Sequence, residues 1–504
     1  MKSPIANHAL IAALLLAGPL QAATEKFDFE VLQYRAKVRA TQPFVPPDRP
    51  LPDWLRKLDY DQYRDIRFDP MQSWWRDAKL PFQLQFFHLG GIFHEPVQLH
   101  EVIAGKEQRI DFSPRLFDYG HNRISGHVPA DLGYAGLRIH YPLNRPEYYD
   151  ELAVFLGASY FRALGQDQRY GLSARGLALN TGEPGGEEFP IFEEFWLEKP
   201  APGARSLTLY ALLDSRNVAG AYRFIITPGK DTVMQIKAAI YCRQNPKVFG
   251  IAPLTSMFTH GENTNWSRED YRPEVHDSDG LLIANGAGEW IWRPLSNPGQ
   301  IRHASFLDNS PRGFGLLQRD RDFKHYDDLE AFYHQRPSAW VEPVGNWGPG
   351  QVRLVELPTP NEMNDNIVAF WVPAQLPPAG EPITFEYKLH WSLDLDGRPP
   401  AGYVSSTRNA TIIGRPDLRR FVIEYEGRYL NQEPAGAAIS ADVSIGAGAR
   451  LEGTPVVQKN QFTGGWRVAF EVHPDGSGHP VEMRCYLHKE RHVLTEIWSN
   501  LWTP

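Results

Sequence analysis

Two acidic clusters of the sequence combine the residue types that general acid–base chemistry needs. The first is the segment 272–280, RPEVHDSDG, and the second is the segment 358–371, PTPNEMNDNIVAFW. In the second cluster, Glu362 and Asp365 precede an apolar run that is predicted to form a strand over 367–371. A carboxylate at the mouth of a buried strand is held rigidly and still faces a cleft, which suits a general acid or base.

Each cluster also has a simpler explanation. Asp and Asn are common turn formers, and turn chemistry is the favoured interpretation of either cluster taken alone. Asp277 and Asp279 also stand at alternate positions in a D-S-D-G segment, as oxygen ligands do in a calcium-binding loop. The later ligands and the closing Glu of an EF-hand are absent from the sequence, so calcium is the minor alternative.

Aromatic and cationic side chains accompany these acids. The residues that we predict to bind substrate are Arg175, Trp290, Trp292, Arg336, Trp340 and Trp371. Core packing explains any single Trp, but a cleft with carboxylates, Arg and flat rings also suits a carbohydrate, whose C–H faces stack on rings. The sequence contains no P-loop, no Gly-x-Gly-x-x-Gly before a helix and no His-Glu-x-x-His, so we predict neither a cofactor nor a metal.

Composition narrows the class of protein further. The chain has 504 residues, which indicates more than one domain, and its formal net charge is −8. Without a basic surplus, nucleic-acid binding has little support. Two Cys exclude a disulfide scaffold or a Cys-built metal site, and the sequence does not decide whether Cys242 and Cys485 pair.

The N-terminal segment 1–22 has the pattern of a secretory signal peptide. Lys2 supplies the positive start, the segment 9–20 (ALIAALLLAGPL) is apolar, and Ala22 and Ala23 are small residues at a cleavage site. We therefore predict an exported protein that begins near Ala23.

The rest of the sequence predicts an all-β fold with one N-terminal helix. Apolar spacing indicates a helix over 26–39. Alternating segments separated by Gly, Pro, Asn and Asp predict many short strands, among them 82–87, 207–213, 222–227, 232–240 and 383–389. We expect a large antiparallel β-sandwich over 23–393, a linker over 394–414 and an immunoglobulin-like sandwich over 415–504.

Nine segments together resemble one known family, the periplasmic glucan biosynthesis family of glucan G and D proteins. They are FLGASYFR (155–162), YGLSARGLA (170–178), EEFP (187–190), YALLDS (210–215), APLTSMF (252–258), EWIWRP (289–294), GFGLL (313–317), RPSAW (336–340) and NDNIVAFW (364–371). The resemblance implies a galactose-mutarotase-like N-terminal sandwich. It also implies a role in building osmoregulated periplasmic glucans, whose backbone is β-1,2-linked glucose.

The resemblance also implies roles for individual residues. The family's His-Asp-Ser-Asp pattern falls on 276–279 and implies that Asp277 is the general base. Its Glu-x-x-Asp-Asn-Ile-Val pattern falls on 362–368, which implies Asp365 as the general acid and Glu362 as a supporting carboxylate. The Tyr that precedes x-x-Arg-Pro-Ser is Tyr333, which the resemblance implies as a proton relay.

Three functions are compatible with these residues. The favoured one is an enzyme that cleaves or transglycosylates β-1,2-glucan with inversion. A non-catalytic glucan-binding scaffold and a calcium-dependent lectin that uses Asp277 and Asp279 are the alternatives. We expect a periplasmic protein whose partners are the glucan and the inner-membrane glucan synthase. The G or D subtype and the oligomeric state stay open.

Overall fold

The computed structural model describes residues 26–47, 51–122, 128–264, 269–378, 380–394 and 399–504. The predicted signal peptide lies outside the described residues. No helix within the described ranges is long and apolar enough to cross a lipid bilayer.

Helices are few and short, as the sequence predicts. The described residues form four α-helices: α1 (Phe29–Ala40), α2 (Asp53–Arg56), α3 (Tyr60–Arg64) and α4 (Phe323–Tyr326). Single 3₁₀ turns occur at Pro70–Gln72, Pro114–Leu116, Tyr333–Gln335 and Leu430–Gln432. The helix predicted over 26–39 is confirmed as α1, and it begins after Asp28 because that side chain accepts the N–H groups of Glu30 and Val31.

Strands make up about half of the described residues. The first sixteen are β1 (Arg67–Phe68), β2 (Gln83–His88), β3 (Gln98–Ile103), β4 (Lys106–Arg109), β5 (Phe117–Asp118), β6 (Tyr134–Arg145), β7 (Tyr148–Leu156), β8 (Tyr160–Ala163), β9 (Ser173–Arg175), β10 (Leu177–Leu179), β11 (Ile191–Glu198), β12 (Leu207–Asp214), β13 (Val218–Thr227), β14 (Thr232–Cys242), β15 (Phe249–Ser256) and β16 (Phe258–His260). The next nine are β17 (Val275–His276), β18 (Gly280–Ala284), β19 (Trp290–Pro294), β20 (Arg302–Asn309), β21 (Gly313–Leu317), β22 (Ser338–Val344), β23 (Pro349–Glu356), β24 (Ile367–Pro373) and β25 (Ile383–Ser392). The last eight are β26 (Tyr403–Ile412), β27 (Arg415–Glu426), β28 (Ser440–Ile445), β29 (Ala449–Lys459), β30 (Trp466–Pro474), β31 (Val481–Lys489), β32 (His492–Val493) and β33 (Ile497–Trp502).

Two large sheets form the main sandwich. The first has the strand order β2-β6-β7-β8-β9-β15-β24-β23-β20, with β10 beside β15. The second has the order β28-β31-β33-β19-β18-β21-β22-β25-β14-β13-β12-β11-β3-β4, with β32 beside β31. This architecture confirms the all-β sandwich that strand alternation predicts, and every strand range named above overlaps an observed strand.

The main core lies between the two sheets. Phe155 and Phe161 of the first sheet contact Phe224 of the second, with ring centroids 5.2 Å and 5.3 Å away. In β14, alternate side chains of 232–238 are fully buried and the others are half-exposed, because successive residues of a strand point to opposite faces. Helix α1 covers the outer face of the second sheet through the buried Leu32 and Ala36.

The C-terminal strands are joined to the second large sheet. Strand β33 runs parallel to β19 and pairs Ile497 with Ile291. A separate sheet of order β26-β27-β30-β29 packs on this extension, where Phe421 and Phe470 lie 6.1 Å and 6.0 Å from the Trp498 ring. The two sandwiches therefore share one continuous sheet.

Part of the segment 394–414, which the sequence predicts to be a linker, is a strand. It contains β26, which pairs with β27 over most of its length. Its sequence lacks a clean apolar period because only Val404 and Thr407 of the strand are buried, while polar residues such as Arg408 and Thr411 are exposed. The second half of this segment is therefore part of the C-terminal sheet, while the proposed domain limits stay a prediction.

Cys242 and Cys485 are both buried free thiols.

Candidate active site

The two predicted catalytic acids are anchored to one point of the main chain. Asp277 follows β17, and its N–H donates to the carbonyl oxygen of Met257 at 2.8 Å. Asp365 precedes Asn366, whose Oδ1 accepts the N–H of Phe258 at 2.8 Å. Because Met257 and Phe258 are consecutive residues, the structure brings both acidic segments together.

Asp277 is held in an ion pair. Its side chain is buried, and its Oδ1 accepts a hydrogen bond from Nη1 of Arg336. The Nε of Arg336 donates to the carbonyl oxygen of Ala331 at 3.1 Å, and its guanidinium carbon lies 4.3 Å from the centroid of the Tyr333 ring. Arg336 thus contacts two other sequence-predicted residues, Asp277 and Tyr333.

Asp365 has the opposite environment. The described part of the chain offers its carboxyl group no hydrogen-bond donor and no ion-pair partner, and the residue is exposed to solvent. Surrounding protein nevertheless raises the pKa of Asp365, mainly through desolvation, and the negative charge of Asp277 adds to this rise. The positive charges of Arg162 and Arg175 lower the pKa of Asp365 and so oppose this rise. The Asp365 carboxyl group is therefore crowded by protein on one side and still reaches solvent on the other.

Tyr333 is fixed by the turn that carries it. The preceding Phe332 adopts a left-handed conformation, with φ 50° and ψ 45°, which is uncommon for a bulky residue and directs the following 3₁₀ turn. Gln318 donates to the carbonyl oxygens of Tyr333 at 3.3 Å and of His276 at 2.8 Å. The pKa of the Tyr333 phenol is raised, first by burial and also by the charges of Glu362 and Asp277.

Glu362 is part of a separate ion-pair network beside Tyr333. Its oxygens accept from Nη1 and Nη2 of Arg272 at 3.1 Å and 2.5 Å. Arg272 also binds Asp270 at 2.9 Å and Asp328 at 3.0 Å. Glu362 therefore orders the wall near Tyr333, and its role as a supporting carboxylate stays a prediction.

Arg175 lowers the pKa of Asp365 through its charge, but its guanidinium group is buried and held by protein groups. Its Nε donates to Thr255 Oγ1 at 2.9 Å, and its Nη1 pairs with Glu187 at 2.6 Å. Its guanidinium carbon lies 5.4 Å from the Tyr160 ring and 5.7 Å from the exposed Phe189 ring. These contacts make Arg175 a support for the Tyr160 and Phe189 rings.

The predicted role of the Trp residues requires correction. Trp292, Trp340 and Trp371 have exposed fractions of 4%, 1% and 0%, so none has a ring face free for a sugar. Trp371 belongs to the main core, and Trp292 and Trp340 pack against the C-terminal domain. Trp290 is half-buried, with its ring stacked 5.8 Å from Trp340. Sequence could not separate core from surface rings, because burial depends on the facing sheet.

The contacts of 277–280 disfavour a calcium loop. An Asp277 oxygen is taken by Arg336, and Asp279 Oδ2 accepts the backbone N–H groups of Arg319 at 2.9 Å and Asp320 at 3.0 Å. Among the residues that the structure describes, the group close enough for a shared ion is a different one, Glu274, Asp320 and His325.

Sequence analysis missed several residues that organise the site. Fully buried His276 bonds to Glu274 and Gln318, each at 2.8 Å. Burial lowers the pKa of His276, but the hydrogen bond and charge of Glu274 outweigh this effect and the pKa rises to about 9. Arg162 and Asn366 were also missed. The signal available in the sequence was their position beside the motifs, Arg162 at the end of FLGASYFR and Asn366 next to Asp365.

Comparisons with known proteins all indicate the same family. The family model described as "Periplasmic glucan biosynthesis protein, MdoG" matches residues 27–502. A glucans biosynthesis protein G from Ralstonia nicotianae is 48% identical over 503 residues, covering 98% of this chain and 99% of the relative. Proteins of the same name from Rhodopseudomonas palustris and Vibrio cholerae are 47% and 45% identical, covering 95% and 96% of this chain and 93% and 88% of their own. The chain therefore belongs to the MdoG family of periplasmic glucan biosynthesis proteins.

Proposed function

We propose that this protein acts in the periplasm on β-1,2-linked glucan, which it cleaves or transglycosylates with inversion, and that it belongs to the G branch of the family. The names of its relatives support the branch, and the family description supports the compartment. The nascent glucan delivered by an inner-membrane synthase is the substrate in this proposal.

The observation that carries the proposal is the contrast between two carboxyl groups of one cleft. Asp365 has a raised pKa and no protein partner in the described part of the chain, whereas Asp277 is ion-paired with Arg336. Carboxyl groups whose environments differ in this way divide into a proton donor and a proton acceptor.

In the proposed mechanism, Asp365 protonates the glycosidic oxygen that leaves. On the opposite face of the sugar, a water molecule or an acceptor hydroxyl attacks the anomeric carbon and loses its proton toward Asp277. Because Asp277 is buried, Tyr333 carries this proton through its hydroxyl group, and Arg336 orients both groups. No cofactor enters these steps.

One observation favours a second candidate, a glucan-binding scaffold without turnover. Both Asp277 and Tyr333 are buried, with exposed fractions of 4% and 2%, so the base has little direct access to water. A scaffold would bind glucan in the same cleft and release it unchanged.

Product analysis on linear β-1,2-glucan separates the two candidates. We expect shortened or transferred chains from the mature protein. Asp365→Asn and Asp277→Asn should each reduce turnover by about 10²–10⁴-fold, the usual contribution of a proton-transfer group. Asn364→Ala provides a control, because Asn364 is exposed in the same loop and its replacement adds no charge beside Asp365. Glucan binding without any product would support the scaffold, and near-normal turnover by either Asp variant would refute the assigned roles.

A further inference from the structure

A short segment that the proposed mechanism does not use, 319–321, follows β21 and has the sequence Arg-Asp-Arg. The backbone N–H groups of Arg319 and Asp320 donate to Asp279 Oδ2 at 2.9 Å and 3.0 Å. Asp279 is two residues beyond Asp277 in the chain. The main chain of this segment therefore fixes the part of the chain that carries the proposed base.

The side chain of Arg321 binds the turn that carries the proposed relay. Its Nη1 donates to the carbonyl oxygens of His334, at 3.1 Å, and of Arg336. Both carbonyl groups belong to the turn 333–336, which contains the 3₁₀ helix that begins at Tyr333. Hydrogen bonds from a charged donor are shorter and stronger than those between neutral groups. Arg321 is thus a strong support behind the proposed relay.

The other anchor of Arg321 lies in the second large sheet. Its Nη2 donates to the carbonyl oxygen of Leu393 at 2.7 Å. Leu393 directly follows β25, which lies between β22 and β14 in the sheet. Because a strand that is paired on both sides moves little, Leu393 is a fixed reference point. Through Arg321, the turn 333–336 is tied to that point.

Arg321 directs its positive charge at carbonyl groups and not at a carboxylate. Among the residues that the structure describes, no Asp or Glu forms an ion pair with it, and desolvation lowers its pKa. A guanidinium group is planar and presents its N–H donors in fixed directions, so one Arg side chain sets the distance between several carbonyl groups. Lys offers a single ammonium group and cannot hold the same arrangement. The contacts of Arg321 therefore suit a residue that positions main chain.

We propose that Arg321 is a positioning residue of the proposed reaction, which holds the turn 333–336 so that Tyr333 and the Arg336 partner of Asp277 keep their places. The inference rests on the proposed function and adds to it a residue that acts through the turn. It predicts that the loss of Arg321 impairs the proton-accepting side of the site and leaves the Asp365 side intact.

The first test measures turnover of linear β-1,2-glucan by the mature chain carrying Arg321→Met or Arg321→Lys. Saturated turnover should decrease about 10²-fold in the Met variant and about 10-fold in the Lys variant, which keeps the charge and part of the hydrogen bonding. The KM should stay unchanged, because Arg321 contacts no substrate. Lys324→Met is the matched control, since Lys324 is exposed on the nearby α4, and it should change neither value.

Double variants separate positioning from a general loss of stability. Tyr333→Phe removes the relay hydroxyl, so adding Arg321→Lys to it should reduce turnover little further. Asn366→Ala acts beside Asp365, so its effect should multiply with that of Arg321→Lys. Multiplication in both backgrounds would overturn the inference, because a merely destabilising substitution lowers turnover by the same factor in each.

Hydrogen exchange measures the position of the turn without turnover. The N–H groups of Gln335 and Arg336 donate to carbonyl groups within the turn segment. In Arg321→Lys these amides should exchange about 10-fold faster, while the segment 365–368 keeps the exchange rate of the parent.

Unchanged exchange of the turn together with unchanged turnover in both Arg321 variants would overturn the inference and leave the proposed function standing. A parent that forms no product from glucan would refute the proposed function, whereas the exchange rates decide by themselves whether Arg321 holds the turn.

Discussion

Replacing Asn366 by Ala tests whether the main chain of Phe258 positions the proposed acid. The Asn366 side chain accepts the Phe258 N–H at 2.8 Å and donates to the carbonyl oxygens of Phe258 and Leu357, each at 3.0 Å. The residue has an exposed fraction of 2%, so water cannot replace these bonds without rearrangement. The variant therefore leaves one N–H and two carbonyl groups short of a partner.

The expected loss follows from these contacts. An unsatisfied buried polar group costs about 1–3 kcal/mol, so we expect a decrease in unfolding free energy of about 2–4 kcal/mol. A shift of Asp365 by about 1 Å would further lower turnover by about 10²-fold. The loss of turnover should exceed any change in glucan affinity, because the Asn366 side chain contacts no substrate.

Chemical denaturation and glucan turnover measure the two effects. Asn364→Ala is the matched control, since Asn364 is an exposed Asn of the same loop, and it should change stability by less than about 0.5 kcal/mol. If Asn366→Ala and Asn364→Ala have the same stability and turnover, the hydrogen bonds of Asn366 do not hold Asp365 in place and the argument for a preorganised Asp365 is wrong.

The remaining predictions concern pH and the relay. Because the folded-state pKa of Asp365 is raised, its contribution to stability is present at low pH and is lost as the pH rises through that pKa. Asp365→Asn should therefore raise the melting temperature at pH 7 and give no gain near pH 3, and equal gains at both pH values would contradict the shift. Tyr333→Phe should reduce saturated turnover by about 10²-fold or more with unchanged affinity. A loss of affinity alone would make Tyr333 a substrate contact. Burial and the charge of Glu274 raise the pKa of Glu262 to about 7. The carboxyl group of Glu262 accepts the N–H of Thr407 at 2.8 Å. Stability should therefore decrease from about pH 5 to pH 8 in wild type, and Glu262→Gln should reduce this slope, as measured by thermal unfolding. An unchanged slope would remove Glu262 as its source.

Local sequence patterns predicted many of the helices and strands, because such patterns depend only on residues that are close in the sequence. Alternation of apolar and polar residues placed β12, β13, β14 and β25 correctly, and the Asp28 cap was within one turn of the predicted helix start. The same method failed over 394–414, where β26 has a mostly polar face toward solvent and so carries no apolar period. The pairing of β26 with β27 depends on both strands, so the local sequence of β26 does not reveal it.

By itself, the sequence determined the all-β class, the two acidic segments and, through their motifs, the family. Tertiary structure alone decided which side chains meet. Asp277, Tyr333 and Arg336 come together because the loops of distant strands converge. Arg162 of β8 is close enough to Asp365 for its charge to lower the pKa of that carboxyl group. Tertiary structure also decided that Trp340 and Trp371 are core residues, since a ring is buried only when another sheet or domain covers it. Composition and spacing specify the chemistry that a side chain can perform, whereas long-range strand pairing sets its distance to partners, its contact with water and hence its pKa.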